Sequence, residues 1–365
     1  MKKLTLTKNA KSNAITYAIV IAFYVVMQLL SSTGHLSSSL AGQLIPICVY
    51  ICMAVSLNLT VGILGELSLG HAGFMSVGAF TGIIVAMSLQ PAVGSGPVRL
   101  LLAILAGALT AALVGILVGV PALRLRGDYL AIVTLAFGEI IKNIINNLYV
   151  AYDANGLHVT LLRAISKSEL TEGGYFIING PQGATGVTKL STFLAGFLMI
   201  LFTLFVVLNL TQSRSGRAIM SIRDNRIAAE SVGINVTKYK LMAFVVSAAL
   251  AGMAGALYAM NFTTIAAKKF DFNTSILVLV FVVLGGMGNI RGSIIAAAVL
   301  YVLPELLRAV NDYRMLFYAI VLIVVMLVTN NPQMKALTER VRVWLRGLIS
   351  RKAPEGAAEG GASDD

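Results

Sequence analysis

Again and again between Ile15 and Thr329 the chain runs close to twenty residues with almost no charge. About 20 apolar residues, at ~1.5 Å rise each, are what a helix needs to cross a ~30 Å hydrocarbon layer. Composition agrees: 57% of residues are hydrophobic and 12% charged, where a soluble domain has about a quarter charged. The expected fold is therefore an all-α membrane protein, a polytopic bundle. The candidate spans are Ile15–Leu30, Gln43–Ile63, a third run to about Leu89, Val98–Val120, Tyr129–Tyr149, Leu190–Leu210, Leu241–Met260, Ser275–Leu284, Ser293–Leu303 and Met315–Thr329. That gives about ten transmembrane helices (8–10), the range arising because Gly286–Gly292 suits a half-crossing.

The net charge of +12 invites a nucleic-acid reading, and its distribution removes it. Of 28 Lys and Arg, four precede the first run, six lie within 211–240 and six in the tail from Lys335 to Lys352. Sixteen of 28 therefore flank spans in three blocks, as the positive-inside rule predicts for cytoplasmic segments. Counting crossings from a cytoplasmic start puts Arg124, Arg126, the 211–240 block and the tail on the inside. It puts the charge-balanced segment 150–189 outside. The first run has the layout of a signal peptide, with Ser37–Ala41 as a cleavage site, but the later spans favour an uncleaved helix. The expected organisation is a cytoplasmic start (1–14), a membrane domain (15–331) and a basic, then disordered, cytoplasmic tail (332–365).

Glycine punctuates the apolar pattern twice, at GILGELSLGHAG near residue 62 and VLGGMGNIRGS near residue 283. Paired helix interruptions in two halves point to an internal repeat around a central pathway; shared membrane-helix composition explains them equally well.

No P-loop, HExxH, GxSxG or CxxC is present, so the reading includes no catalytic residue, no metal site and no cofactor bound by this chain. Cys48 and Cys52, four apart in an apolar run, read as packing residues. Ionisable groups inside a membrane are expensive, which singles out Glu66 and His71 at the first break. They are candidates for a translocation path, set against a position at the water interface. In the fifth span Glu139, Lys142, Asn143 and Asn146 fall on one helical stripe, which must face protein or water. Glu139 and Lys142, one turn apart, suit a neutralising pair.

Arg214–Met260 passes from a basic polar segment into an apolar run without an evident stop. Read as one amphipathic helix, it places Ala218, Ile222, Ala229 and Val232 on one stripe. Such a helix rests on anionic lipid or docks into a partner's groove, and only docking calls for the small residues Ala228, Ala229 and Gly233.

Three blocks, LNLTVGILGELSLGHAGFMSVGAF (57–80), GRAIMSIRDNRIAAESVGINVTKYKLMAFVVSAALAGMAGALYA (216–259) and LVLVFVVLGGMGNIRGSIIAAAVLYVLPELLR (277–308), resemble the membrane permeases of bacterial ABC importers for branched-chain amino acids. RGDYLAIVTLAFGEII (126–141) and NGPQGATGV (179–187) look like the type that pairs with a second, shorter permease. Such permeases carry a loop of pattern E-A-A, three residues, Gly, which docks on the ATPase. Here Ile227 stands in the Glu position, with Ala228, Ala229 and Gly233 in the remaining places.

The resemblance implies coupling through Gly216, Arg217, Arg223, Asp224, Ala228, Ala229, Glu230 and Gly233. It implies a path near Glu66, His71, Glu139, Asn143 and Asn146, a multi-pass location in the bacterial cytoplasmic membrane, and a role as transport subunit rather than enzyme. The implied partners are a second permease, two cytoplasmic ATPases that use ATP and Mg, an extracytoplasmic binding protein and membrane lipid, with no nucleic acid. The alternatives are a permease for urea or short amides, an ion-coupled secondary transporter and a membrane scaffold.

Overall fold

The computed structural model describes residues 8–34, 37–125, 127–154, 156–161, 163, 174–307 and 313–330. The tail expected from residue 332 lies outside them. The chain divides into a unit up to Glu305 and a second from Leu306 onward. The second contributes helix α12 (Arg314–Asn330).

The first unit begins with α1 (Lys8–Ser32) and α2 (Ser38–Asn58), the latter running into a π-helical turn at Leu59–Leu64. Then come α3 (His71–Ser88), α4 (Gly96–Ala122) and α5 (Asp128–Asn146). A small sheet comes next, from β1 (Leu148–Asp153), β2 (Gly156–Leu161), β3 (Tyr175–Asn179) and β4 (Ala184–Thr185). After α6 (Phe193–Gln212) lie two short helices, α7 (Arg214–Asp224) and α8 (Arg226–Ser231), and the long α9 (Val236–Ala259). A two-residue strand, β5 (Thr264–Ile265), precedes α10 (Phe272–Gly285) and α11 (Ile290–Leu306).

Among the described residues six helices, α1 to α4, α6 and α9, are long and apolar enough to cross a membrane. The other expected spans fall on α5, α10, α11 and α12. Every apolar run read from the sequence thus forms a helix.

Small residues set the packing at the centre. In a bilayer the lipid is as apolar as leucine, so helices associate by close backbone approach rather than by hiding apolar area. A Cβ on Gly78 of α3 would lie 2.1 Å from the Gly252 carbonyl of α9, and one on Gly252 would lie 2.3 Å from Ala111 of α4. Gly82 faces Ala256, so α3 and α9 run parallel, whereas Gly115 facing Ala248 makes α4 antiparallel to both. The opposite face of α4 carries Leu101, Leu105, Leu109, Leu113 and Leu117, all exposed. A leucine ridge outside and glycine inside reverses the pattern of a soluble protein, because the outer solvent is lipid.

The long helix α2 is the axis of the bundle, its membrane window wholly buried. It runs antiparallel to α9: Tyr50 meets Tyr258 edge-on, and the Ser247 hydroxyl donates to the Ser56 carbonyl at 2.6 Å. It is antiparallel to α11 as well, with Tyr50 stacked on Tyr301 at 4.5 Å and Asn58 bonded to Ser293 at 2.9 Å.

Two helices start part-way along the bundle. Phe74, in the first turn of α3, packs on Phe244 at 5.5 Å, eight residues or about 12 Å into α9. The 14 residues of α10 rise only about 21 Å, short of a ~30 Å core. Their starts meet: the Ala72 amide donates to the Ser275 hydroxyl at 3.1 Å. From that level α3 leads to one end of the bundle and α10 to the other. The half-crossing expected near Gly286–Gly292 falls on α10, while α3 starts at the same level with 18 residues, length enough to cross.

The segment read as a polar loop at 150–189 holds most of an antiparallel sheet of order β2-β1-β3-β4-β5. Tyr149–Asp153 (YVAYD) and Tyr175–Ile178 (YFII) are short β-branched and aromatic runs that favour a pleated surface. The Tyr175 hydroxyl donates to the Met87 carbonyl at 2.9 Å, tying the sheet to the end of α3.

Candidate functional site

The bundle has two distinct ends, one covered by the sheet and the other by α7 and α8. At the second end the expected single amphipathic helix is absent. Three side chains cap three successive helix starts. Ser213 accepts from Gly216 N at 3.1 Å, Asn225 from Ala228 N at 3.0 Å and Asn235 from Lys238 N at 3.0 Å. Ser and Asn offer the backbone a local alternative to a continuous helix, and Asn225 takes it with an extended backbone (φ −155°, ψ 106°). The predicted stripe breaks accordingly. Ile222 and Ala229 pack with Val236 in a small core flanked by Ile234 and Tyr239, but Val232 is 75% exposed and Ala218 half-buried.

The A-A-x-x-x-G pattern has a local purpose in this fold. Gly233 is left-handed (φ +83°). Its amide donates to the Glu230 carbonyl at 3.0 Å, and the Ile234 amide donates to Ala229 at 3.1 Å. Those two bonds are a Schellman ending, in which glycine fits because it lacks a Cβ. Ala229 is consumed by the internal core. The small residues thus shape α8 rather than forming an open small-residue face, and only Ala228 of the three stays available beside exposed backbone. What α8 does present is apolar: Ile227 is 80% exposed. Arg226 and Glu230 pair at 3.0 Å one turn apart. Gly216 is packed so that a Cβ would lie 2.2 Å from the Leu210 carbonyl. Arg217 is exposed and reaches the Gln212 carbonyl at 3.3 Å.

Arg223 is 40% exposed and lies along the edge of the bundle, reaching it with one nitrogen. Its Nη1 donates to the Gly62 carbonyl at 3.0 Å, and its Nη2 pairs with Asp224 at 3.0 Å. Gly62 belongs to the π-turn, where one last-turn carbonyl lacks the partner of a continuing helix, and a cation at a helix carboxyl end is favourable. Beside it the second glycine break arrives. The Gly288 amide donates to the Asn58 Oδ1 at 2.8 Å, and a Cβ on Gly62 would lie 2.1 Å from the Gly288 nitrogen. The two glycine breaks of the sequence are in direct contact.

Glu66 lies at the same end, in an ion pair with the buried Lys240 of α9. His71 lies deeper, buried, with Nε2 2.8 Å from the Ser56 hydroxyl. That hydroxyl donates to the Met53 carbonyl, so it accepts from His71. Glu139 pairs with Lys142 and lines a small cavity with Leu69, Gly73, Asp271 and Ser275, where α3 and α10 begin. Asn143 is exposed and Asn146 half-buried. The five path candidates therefore split: Glu139 sits at the paired helix starts, Glu66 at the α7–α8 end, His71 between them, and the two asparagines outside this cluster. Sequence reading passed over Asn58, fully buried, and Lys240. An amide and an ammonium inside apolar runs were the available signals.

At the sheet end a cavity of about 940 Å³ is walled by Tyr152, Asp153, Tyr175, Phe176, Gln90 and Thr188, among others. Asp153 is buried with its Oδ1 3.0 Å from His158 Nε2. Burial, and then the neighbouring Tyr152, push the Tyr175 phenol above its usual range.

Residues 39–326 match the family model described as the branched-chain amino acid transport system permease component. The chain is 38% identical over 287 residues to the high-affinity branched-chain amino acid transport system permease protein LivM of Salmonella typhimurium. That match covers 76% of this chain and 66% of the relative. It is 31% identical over 224 residues to the nucleoside ABC transporter permease protein NupC of Lactococcus lactis, over 56% of this chain and 64% of the relative. It is 24% identical to LivH of Salmonella typhimurium, over 76% of this chain and 89% of the relative. The match thus spans about two thirds of the LivM relative's own length. No solved structure matches. Family match, apolar helices and bundle together make this a multi-pass membrane protein that belongs to the branched-chain amino acid permease family of transport systems.

Proposed function

We propose that this chain is the permease subunit of an ATP-driven ABC importer. It forms half of the translocation path for branched-chain or other apolar amino acids delivered by an extracytoplasmic binding protein. The observation that carries the reading is α8. It is a short, side-chain-capped helix at one end of a membrane bundle, showing Ile227 and Val232 to solvent at 80% and 75% exposure. Apolar side chains held out on a polar segment suit a helix-in-groove contact with a soluble partner. In this reading that end is cytoplasmic, both termini lie on its side, and an ATPase subunit seats over α8. A second permease completes the path in the bacterial cytoplasmic membrane.

In this reading the chain itself holds no nucleotide. ATP and Mg belong to the partner ATPases, and this subunit is not a catalyst. The cavity under the sheet is the entry from the binding protein. The ion-coupled alternative is disfavoured because both carboxylates that would serve it, Glu66 and Glu139, already hold lysines.

The test is reconstitution of the full complex in liposomes with the binding protein outside and ATP inside. ATP-dependent uptake of leucine, isoleucine or valine is expected. Uptake that ignores ATP and collapses with the proton gradient would refute the reading.

A further inference from the structure

The contacts of Arg223 suggest how α7 acts on the membrane. The last turn of α2 is π-helical over Leu59–Leu64 and wholly buried. It closes with Gly65 (φ +81°), whose amide donates to Thr60 five residues back. The Glu66 amide donates to the same carbonyl at 3.1 Å. A π-turn carries an extra residue relative to an α-turn and is common at working sites. Converting it to α would turn everything after it by about 100°. The next residues, Glu66 to His71, are the strap that leads into α3.

Three other elements grip this turn. Arg223 of α7 donates to Gly62 O at 3.0 Å, and its aliphatic stem lies where a Gly65 side chain would be, 2.6 Å from that Cβ position. The Gly288 amide, at the foot of the part-crossing helix α10, donates to Asn58 one residue before the turn. Asn58 in turn donates to Ser293 of α11 at 2.9 Å. One guanidinium thus joins the α7–α8 segment to the point where the strap into α3 and the end of α10 are anchored.

We propose that Arg223 is a positioning residue of transport. It passes movement of α7 and α8 to the π-turn of α2, and through Asn58 to the Gly286–Asn289 turn, so that α3 and α10 respond together. Arg223, although 40% exposed, thus acts through its bond to the Gly62 carbonyl rather than as a docking contact for the ATPase. The inference rests on the importer reading above.

The experiment uses the whole complex and compares wild type with Arg223→Ala, Arg223→Lys, and Lys238→Ala, an exposed residue elsewhere on that end. Two quantities are read: amino acid taken up per ATP hydrolysed, and hydrogen exchange of peptides over 58–70 and 283–293 with and without a non-hydrolysable ATP analogue. In wild type and Lys238→Ala, nucleotide changes exchange in both peptides. In Arg223→Ala the ATPases still copurify, both peptides stop responding, and uptake per ATP falls at least fivefold. Arg223→Lys, which restores a cation near Gly62, regains part of both.

Unaltered peptide responses in Arg223→Ala would overturn the proposal, as would loss of copurifying ATPase, since that would put Arg223 on the docking face. Should Arg223→Ala fail to fold, Arg223→Gln takes its place with the same expected loss and the same refuting outcomes. A wild-type complex without ATP-dependent uptake would refute the importer reading instead, and the two failures are told apart by that control.

Discussion

Breaking the Lys240–Glu66 pair separates two accounts of why a buried lysine stands in α9. Lys240 is 5% exposed and Glu66 half-buried, so the pair sits where water helps little. Removing one partner of a buried pair leaves an uncompensated charge and costs about 3–5 kcal/mol. Glu66 keeps some access to water, which puts Lys240→Met near 3 kcal/mol, at the lower edge of that range.

At an unfolding entropy of about 2.1 cal/mol/K per residue over 365 residues, 1 kcal/mol shifts the midpoint by roughly 1.3 °C, so the midpoint of thermal unfolding in detergent should fall by about 4 °C. Replacing both partners, Lys240→Met with Glu66→Gln, removes the stranded charge. It should recover at least half of the loss, because the desolvation cost of the pair offsets most of its attraction. The double-mutant cycle carries the decision. Additive single effects, with the double variant the least stable of the three, would refute a direct buried ion pair.

Local geometry sets three further outcomes. Gly78→Val puts branched carbons where even a Cβ lies 2.1 Å from backbone, and should abolish accumulation of folded protein in the membrane, read by detergent-resistant size-exclusion chromatography. Gly233→Ala forces a Cβ into the left-handed region at about 1–2 kcal/mol. It should loosen α8 alone, seen as faster amide exchange at 226–234 with α9 unaffected. Asn225→Ala removes the α8 cap at a cost near 1 kcal/mol, and should raise exchange at Ala228 without lowering the midpoint of the bundle by more than a few degrees.

Helix positions were legible because a bilayer imposes one rule on every span, and each apolar run between Ile15 and Thr329 became a helix. Depth was not legible. Nothing in the composition of α3 shows that it starts opposite Phe244, since that depends on Gly70 and Gly73 fitting against α5, contacts set by the fold. The sheet was missed because its strands are two to six residues long, separated by polar turns, and carry no membrane-length signal. The break at Asn225 was readable in principle: Asn three residues before Ala228 is a capping signal, overridden by the length of the apparent stripe.

The glycine breaks stand out in the sequence as two similar interruptions, while their direct contact through Gly62 and Gly288 needed coordinates. At the candidate site, Ala229 and Gly233 had been assigned to partner contact and turned out to serve the chain's own turn. Ile227, set aside as a departure from pattern, became the most exposed apolar side chain of α8. Spacing in sequence paired Glu139 with Lys142, and the other buried ionisable residues showed only as costs. Their partners Lys240 and Lys142 decide which of them could move charge, and pairing between Glu66 and Lys240 spans too many residues for spacing to reveal.

The most direct measurement is retention of ATPase subunits on the purified permease when Ile227 becomes Asp. Ile227 touches solvent and contributes little to folding, so the account predicts an unchanged unfolding midpoint. It predicts at least a tenfold drop in copurifying ATPase and in ATP-dependent uptake of branched-chain amino acids. Full retention and full uptake with Asp at 227 would contradict the claim that α8 is where an ATPase grips this chain.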